Sequence, residues 1–193
     1  MRPTLIIMLK EPRPGRVKTR LGREIGMTTA AWWFRHQAQA LLRRLGPDPR
    51  WTTVLAVSPD HAGLTSRCWP PRFARVPQGS GDLGMRMAHL LRSAPPGPAL
   101  IIGADIPGIR ARHITRAFAL LGAHDAVLGP APDGGYWCVG LRRTAAVPTR
   151  LFSGVRWSTE TALDDTLVSL GPARVALTDC LADVDTVADL NKR

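Results

Sequence analysis

The chain has 193 residues, enough for one domain spanning 1–193 with a substantial core, and a formal net charge of +11. No apolar run reaches the length of about 18 residues that a membrane-crossing helix needs, and the N-terminus lacks the pattern of a secretory signal. Three cysteines form no CxxC pair, which argues against a zinc site or disulfide framework and for a reducing cytoplasm.

In chain order, the apolar run 4–9 reads as a first buried strand. It empties into KEPRPGRVKTRLG, residues 10–22, where Lys10, Arg13, Arg16, Lys18 and Arg20 crowd just past the strand end. Arginine grips phosphate with paired donors, and lysine adds a mobile point charge. Pro12 and Pro14 stiffen the approach, and Gly15 lets a ligand come close to the backbone. The loop is thus expected to hold a nucleotide's phosphates, with Lys18 and Arg20 foremost; the bland alternative is a solvated basic loop. Neither GxxxxGK[ST] nor GxGxxG is present.

A helix follows over 28–45, with Phe34, Ala38, Leu41, Leu42 and Leu45 at helical spacing and Gly46-Pro47 as its stop. Trp32, Trp33 and Phe34 are adjacent on it. They cannot all face one core, so one is expected at a subunit contact, as in a homodimer. Strands are expected at 52–57 and, after Pro70-Pro71, at 73–76. The stretch Gln78-Gly79-Ser80-Gly81-Asp82 then opens a helix that Asp82 caps and whose Leu83, Met87, Leu90 and Leu91 form one apolar stripe. Its backbone N–H groups suit an anion or a base edge, and the Gln78 amide suits a base by donating and accepting together; a plain loop and cap is the alternative.

Residues 99–103, ALIIG, are the clearest interior strand, and they run to Asp105. A hard oxygen ligand there suits Mg2+ or Mn2+ held against a diphosphate. Helix 112–122 leads to strands 126–128 and 136–141 around Asp133-Gly134-Gly135-Tyr136. A carboxylate beside aromatics suits a sugar or small acceptor, and Asp-Gly chemistry equally suits a tight hairpin. Gly154, Trp157 and Ser158 are candidates for the same pocket, unless Ser158 caps the helix expected over 159–170. A strand at 174–177 precedes Asp183 and Asp185, which reach the same sheet edge as Asp105 and are either further metal ligands or caps. A closing helix over 186–191 carries Thr186 and Asp189 as a capping box.

The β-α-β-β-α-β-α-β order predicts a three-layer α/β/α fold around a mostly parallel sheet, with ligands outside the carboxyl ends of its strands. All but three of the 26 basic residues are arginines spread along the chain. No basic run is interleaved with aromatics, so an anionic small ligand is expected ahead of nucleic acid. The five histidines show no ligand spacing.

Taken together, KxPxPGxVKTRL, QGxGDLGxRM, GADIPG, GPAPDGGYWxVGL, FxGVxWST and DVDTxxDL resemble the bacterial glycosyltransferase-A-like family of arsenosugar-biosynthesis-type glycosyltransferases. More widely they are similar to the 2-phospholactate guanylyltransferases and molybdenum-cofactor nucleotidyltransferases. The resemblance implies a Rossmann-like nucleotide-diphospho-sugar transferase (GT-A) fold with a mixed sheet and a divalent metal. It implies phosphate contacts by Lys18 and Arg20, a base contact by Gln78 and Gly81, and metal ligation by Asp105 and Asp185. The expected chemistry is glycosyl transfer from a nucleotide-diphospho-sugar to a small acceptor, with Asp133 as a base for its hydroxyl. The alternative is nucleotidyl transfer from an NTP to a phosphorylated molecule, with release of pyrophosphate.

Overall fold

The computed structural model describes residues 2–191. Seven strands lie in one sheet of order β3-β2-β1-β4-β6-β5-β7: β1 (Thr4–Lys10), β2 (Thr52–Ser58), β3 (Ala74–Pro77), β4 (Ala99–Gly103), β5 (Ala126–Pro130), β6 (Tyr136–Leu141) and β7 (Val175–Leu177). All neighbours pair parallel except β6, which runs antiparallel to both β4 and β5. The mostly parallel mixed sheet is the expected one.

Alternation along the strands separates two cores. Leu5, Ile7 and Leu9 of β1 point to one face with Leu55, Val57, Leu100 and Ile102. There they pack on Phe34, Ala38, Leu41, Leu42 and Leu45 of helix α2 (Met27–Leu45) and on Ile114 and Ala117 of α5 (Ala111–Leu120). Ile6, Ala56, Ile101 and Val139 point to the other face. They meet Met87, Leu90 and Leu91 of α4 (Leu83–Ser93), Phe152, and Ala162 at the start of α6 (Ala162–Ser169). Each such fully buried side chain contributes on the order of 1.5–3 kcal/mol. Strands covered on both faces read as continuous apolar runs, which is why β1 and β4 are conspicuous.

Several boundaries differ from expectation. Helix α1 (Thr19–Ile25) occupies the second half of the presumed basic loop. Its seven residues bury only Leu21 and Gly22, too few to show a period. Helix α3 (Asp60–Thr65) is similarly short. Helix α6 starts at Ala162 instead of 159, because Thr159 turns back to donate to the Arg156 carbonyl at 2.7 Å. Ser158 is therefore not its cap. The closing helix α7 (Val187–Asn191) has half of the expected box: the Asp189 carboxylate accepts from the Thr186 N–H at 2.9 Å and also takes the Thr186 hydroxyl. Of the adjacent aromatics, Phe34 is buried, Trp33 half-buried, and Trp32 58 % exposed and stacked on His36.

β1 lies between β2 and β4. From β1 the chain winds out to β3 on one side; from β4 it winds out to β7 on the other. The connections after β1 and β4 therefore diverge and leave a crevice at their carboxyl ends, the usual ligand position in such sheets.

Candidate active site

That crevice opens into a cavity of about 970 Å³, at the upper end of the range for small-molecule sites. Its floor is the ends of β1 and β4, and its walls come from 16–20, 78–87, 131–139, 157–162 and 181–185.

Lys18 organises the centre. It is the N-cap of α1 in the left-handed conformation (φ 44°, ψ 50°), which directs its side chain inward until only 6 % of it is exposed. Its Nζ lies 2.6 Å from Asp105 Oδ2, 2.7 Å from Asp185 Oδ1 and 3.1 Å from Asp183 Oδ2. Arg20, largely exposed, closes on the far oxygen of Asp185 at 3.2 Å. Asp105 stands two residues past β4, and Asp183 and Asp185 arrive from beyond β7. Asp185 is steadied by its N–H bonding to Asp189 at 3.2 Å. The sheet thus gathers the three carboxylates foreseen at one edge, around the lysine foreseen for the phosphates.

Burial would lower the Lys18 pKa, but Asp105, Asp183 and Asp185 reverse this and hold it above its ordinary value. Burial raises Asp183, and the Asp105 and Asp185 charges reinforce burial against the pull of Lys18. For Asp185 burial also acts upward, but Lys18 and then Arg20 prevail and its carboxyl titrates below its ordinary value. Asp183 is the surplus charge of the cluster.

The rest of the cationic wall is Lys10 and Arg16 from the first loop and Arg86 from α4, whose Nε donates to the Gly81 carbonyl at 3.0 Å. Gly81 and Asp82 line the cavity, and the Asp82 carboxylate caps α4 by accepting from Met85 N at 2.8 Å. Four residues expected at the site are placed differently from the others. Pro14 and Gly15 sit at the exposed tip of the loop, outside the lining, so they shape the approach without touching the cavity. Gln78 is 3 % exposed and its amide nitrogen donates to the carbonyls of Leu9 and Ala56 at 3.0 and 2.9 Å. Its donors tie β1 to β2 and are not free to read a base. Gly154 is exposed and outside the lining.

The cavity is also lined by Asp133, Gly135, Tyr136, Trp157, Ser158 and Glu160. Asp133 is exposed and accepts from Gly135 N at 3.0 Å through one carboxylate oxygen, an Asx turn. Gly134 has φ +82° and lies where a Cβ would overlap the Glu160 carbonyl, so it presses the two loops together without itself lining the cavity. The Tyr136 hydroxyl turns away toward α6, where Thr166 Oγ1 donates to it at 3.2 Å, and burial pushes its pKa up. Its ring and that of Phe152 meet Trp157 edge-on at 6.4 and 6.0 Å. Trp157 also packs where Gly84 leaves no Cβ on α4. Arg156 fixes this segment through a two-pronged pair with Asp165, both contacts at 2.9 Å. Arg86 and Glu160 went unforeseen: Arg86 stands in QGxGDLGxRM but was not singled out, and only folding brings either to the cavity.

The lining charges divide along the chain, although Lys18 joins the two sets at Asp105, Asp183 and Asp185. Every lysine and arginine of the lining lies before residue 87. Every lining residue beyond 100 is neutral or acidic, with Asp105, Asp133, Glu160, Asp183 and Asp185 as the acids. The carboxylate oxygens suit a hard divalent cation such as Mg2+ or Mn2+. Among the described residues, however, no three ligand-type side chains are disposed to hold a metal ion as they stand; the point shared by Asp105, Asp183 and Asp185 is the Lys18 nitrogen.

Residues 41–159 match the model of DUF2064, described as an uncharacterized protein conserved in bacteria. A crystal structure from Desulfovibrio desulfuricans G20, of a protein assigned as a nucleotide-diphospho-sugar transferase, is 32% identical with a TM-score of 0.91. The match covers 99% of this chain and 86% of that one. CMP:2-keto-3-deoxy-manno-octonic acid synthetase in complex with CTP superposes with TM-score 0.62 at 11% identity, covering 100% of this chain and 96% of that one. Rv0371c of Mycobacterium tuberculosis H37Rv in complex with manganese does so at 0.55 and 17%, covering 100% and 97%. At these last identities the likeness is one of fold. No curated protein matches the sequence.

Proposed function

This chain belongs to the DUF2064 family, and we propose that it is a metal-dependent glycosyltransferase that moves a sugar from a nucleotide-diphospho-sugar to a small hydroxylated acceptor. The division of charge carries the reading. A nucleoside diphosphate fits the wall of Lys10, Arg16, Lys18, Arg20 and Arg86. The sugar and acceptor fall beside Asp133, Trp157, Ser158 and Glu160, lining residues that carry no positive charge themselves. A phosphorylated acceptor, as nucleotidyl transfer of the guanylyltransferase kind requires, would there meet the carboxylates of Asp133 and Glu160. A sugar hydroxyl instead finds acceptors for its hydrogen bonds and an aromatic face.

In this account Lys18 and Arg20 stabilise the charge that develops on the departing diphosphate. Asp105 and Asp185, with Asp183 beside them, would hold Mg2+ or Mn2+, which would supply Lewis-acid stabilisation of the same leaving group. Asp133 takes the acceptor's proton; its exposed place in the cavity lining suits this. Gly81 and the backbone of 78–82 flank the base, while Gln78 holds the strands beneath it. The Desulfovibrio protein's assignment and the family resemblance point to the same chemistry. The manganese and CTP complexes of the two fold relatives agree with a metal and a nucleotide in this crevice.

The test is the product. With Mn2+ and a panel of nucleotide sugars, the reading expects a free nucleoside diphosphate. Pyrophosphate released from an NTP would replace it with nucleotidyl transfer.

A further inference from the structure

We infer that Lys18 is a placeholder cation: its ammonium occupies the metal's carboxylates in the unliganded protein, and a divalent ion enters only when the donor's phosphates draw Lys18 away. The inference rests on Asp105, Asp183 and Asp185 being the metal's carboxylates.

The geometry is that of a filled site. Three carboxylates from two distant parts of the chain converge on one nitrogen at 2.6, 2.7 and 3.1 Å. The ammonium donates to Asp183 and Asp185 and forms an ion pair with Asp105. Oxygens ranged around an ammonium are set too wide for Mg2+ or Mn2+, which needs oxygens near 2.0–2.2 Å in a roughly octahedral shell. This agrees with the lack, among the described residues, of a ready metal group. A metal must displace the ammonium to draw the oxygens together, and an ammonium expelled without a new partner would be a buried, unpaired charge.

Phosphates remove that obstacle. Lys18 ends a loop whose residues 13–16 are exposed, and Arg16, Arg20 and Lys10 already draw anions to its side of the cavity. A diphosphate there gives the ammonium oxygen partners in exchange for the carboxylates it releases. The carboxylates, still short of positive charge with only Arg20 on Asp185, then favour a divalent ion that bridges to the same phosphates. Lys18 thus keeps the site from taking up metal without donor, a role beyond contacting phosphate.

Two measurements test this. In Mn2+ titrations followed by electron paramagnetic resonance without nucleotide, Lys18→Met should bind Mn2+ at least tenfold more tightly than the wild type. Equal affinities, or binding by neither, would overturn the inference. The second needs no variant and stands if Lys18→Met fails to fold. The chain has three lysines, Lys10, Lys18 and Lys192; with 15N-labelled lysine, Lys18 is the ammonium resonance in slow exchange with water. Mg2+ alone should leave it in place, and Mg2+ with inorganic pyrophosphate should shift it. A shift with Mg2+ alone, or none with both, would refute the exchange. Neither readout involves a sugar, so a failure of the glycosyl-transfer reading shows separately, in the product assay.

Discussion

Replacing Asp183 with asparagine should cost the fold little or stabilise it, although the residue sits in a half-buried ion cluster. Its carboxylate gains from Lys18 at 3.1 Å, about 5 kcal/mol at the effective dielectric constant of about 20 that suits such sites. Asp105 and Asp185 contact the same nitrogen at 2.6 and 2.7 Å, which keeps their charged oxygens within about 6 Å of it. Each repels it by at least about 3 kcal/mol on the same scale. The two repulsions together match or exceed the attraction before burial is added, and its side chain is 37 % exposed, so solvent shrinks all of them. Burial tips the sum against the charged form, which is why the Asp183 pKa is raised.

The sign of the pH dependence follows. A carboxyl that binds its proton more tightly when folded contributes stability below its unfolded value of about 3.9, and that contribution is lost as pH rises through the raised folded value. Asp183→Asn should therefore match or exceed the wild type in urea unfolding at pH 7, within about 1 kcal/mol, and lose that standing as pH falls and the wild type takes up the proton. Turnover should drop. A loss of more than about 2 kcal/mol at pH 7 would refute the view of Asp183 as surplus charge retained for function.

Other changes follow from single contacts. Asp105→Asn removes the shortest partner of the Lys18 ammonium and should abolish turnover together with metal-dependent nucleotide binding; full activity would remove Asp105 from the site. Gly134→Ala forces a side chain onto the Glu160 carbonyl at φ +82°; thermal unfolding should show a loss of at least about 1–3 kcal/mol. Trp157→Ala deletes the ring between Phe152 and Tyr136 and should cost on the order of 2–4 kcal/mol while raising the KM for acceptor more than that for donor. Asp165→Asn releases the Arg156 fork. It should leave unfolding nearly unchanged, as exposed pairs do, but weaken acceptor binding several-fold by loosening the segment that carries Trp157 and Ser158.

The sequence carried the sheet because strands covered on both faces are unbroken apolar runs: residues 4–9 and 99–103 differ from β1 and β4 by at most one residue. It carried the site's edge for the same reason, since Asp105, Asp183 and Asp185 follow strands whose direction the element order fixes. What stayed hidden depends on tertiary contacts. Helices α1 and α3 are too short to have a period. The tie that Gln78 makes between two strands stayed hidden because nothing local shows that the carbonyls of Leu9 and Ala56 wait beside it. The pairing of Lys18 with Asp183 and Asp185 joins residues 165 and 167 positions apart, and the division of charge exists only once the lining is assembled.

The most direct measurement is the melting temperature with nucleotide-diphospho-sugars and NTPs, each with and without Mn2+. A ligand held by the folded state at 100 times its Kd adds about 2.7 kcal/mol of stability. The account predicts that, beyond any effect of Mn2+ alone, at least one nucleotide sugar with Mn2+ adds a rise of several degrees, and that this added rise is absent when Lys18 and Arg20 are replaced. No added rise with any of them, or an added rise that survives those replacements, would contradict a nucleotide held on the cationic wall.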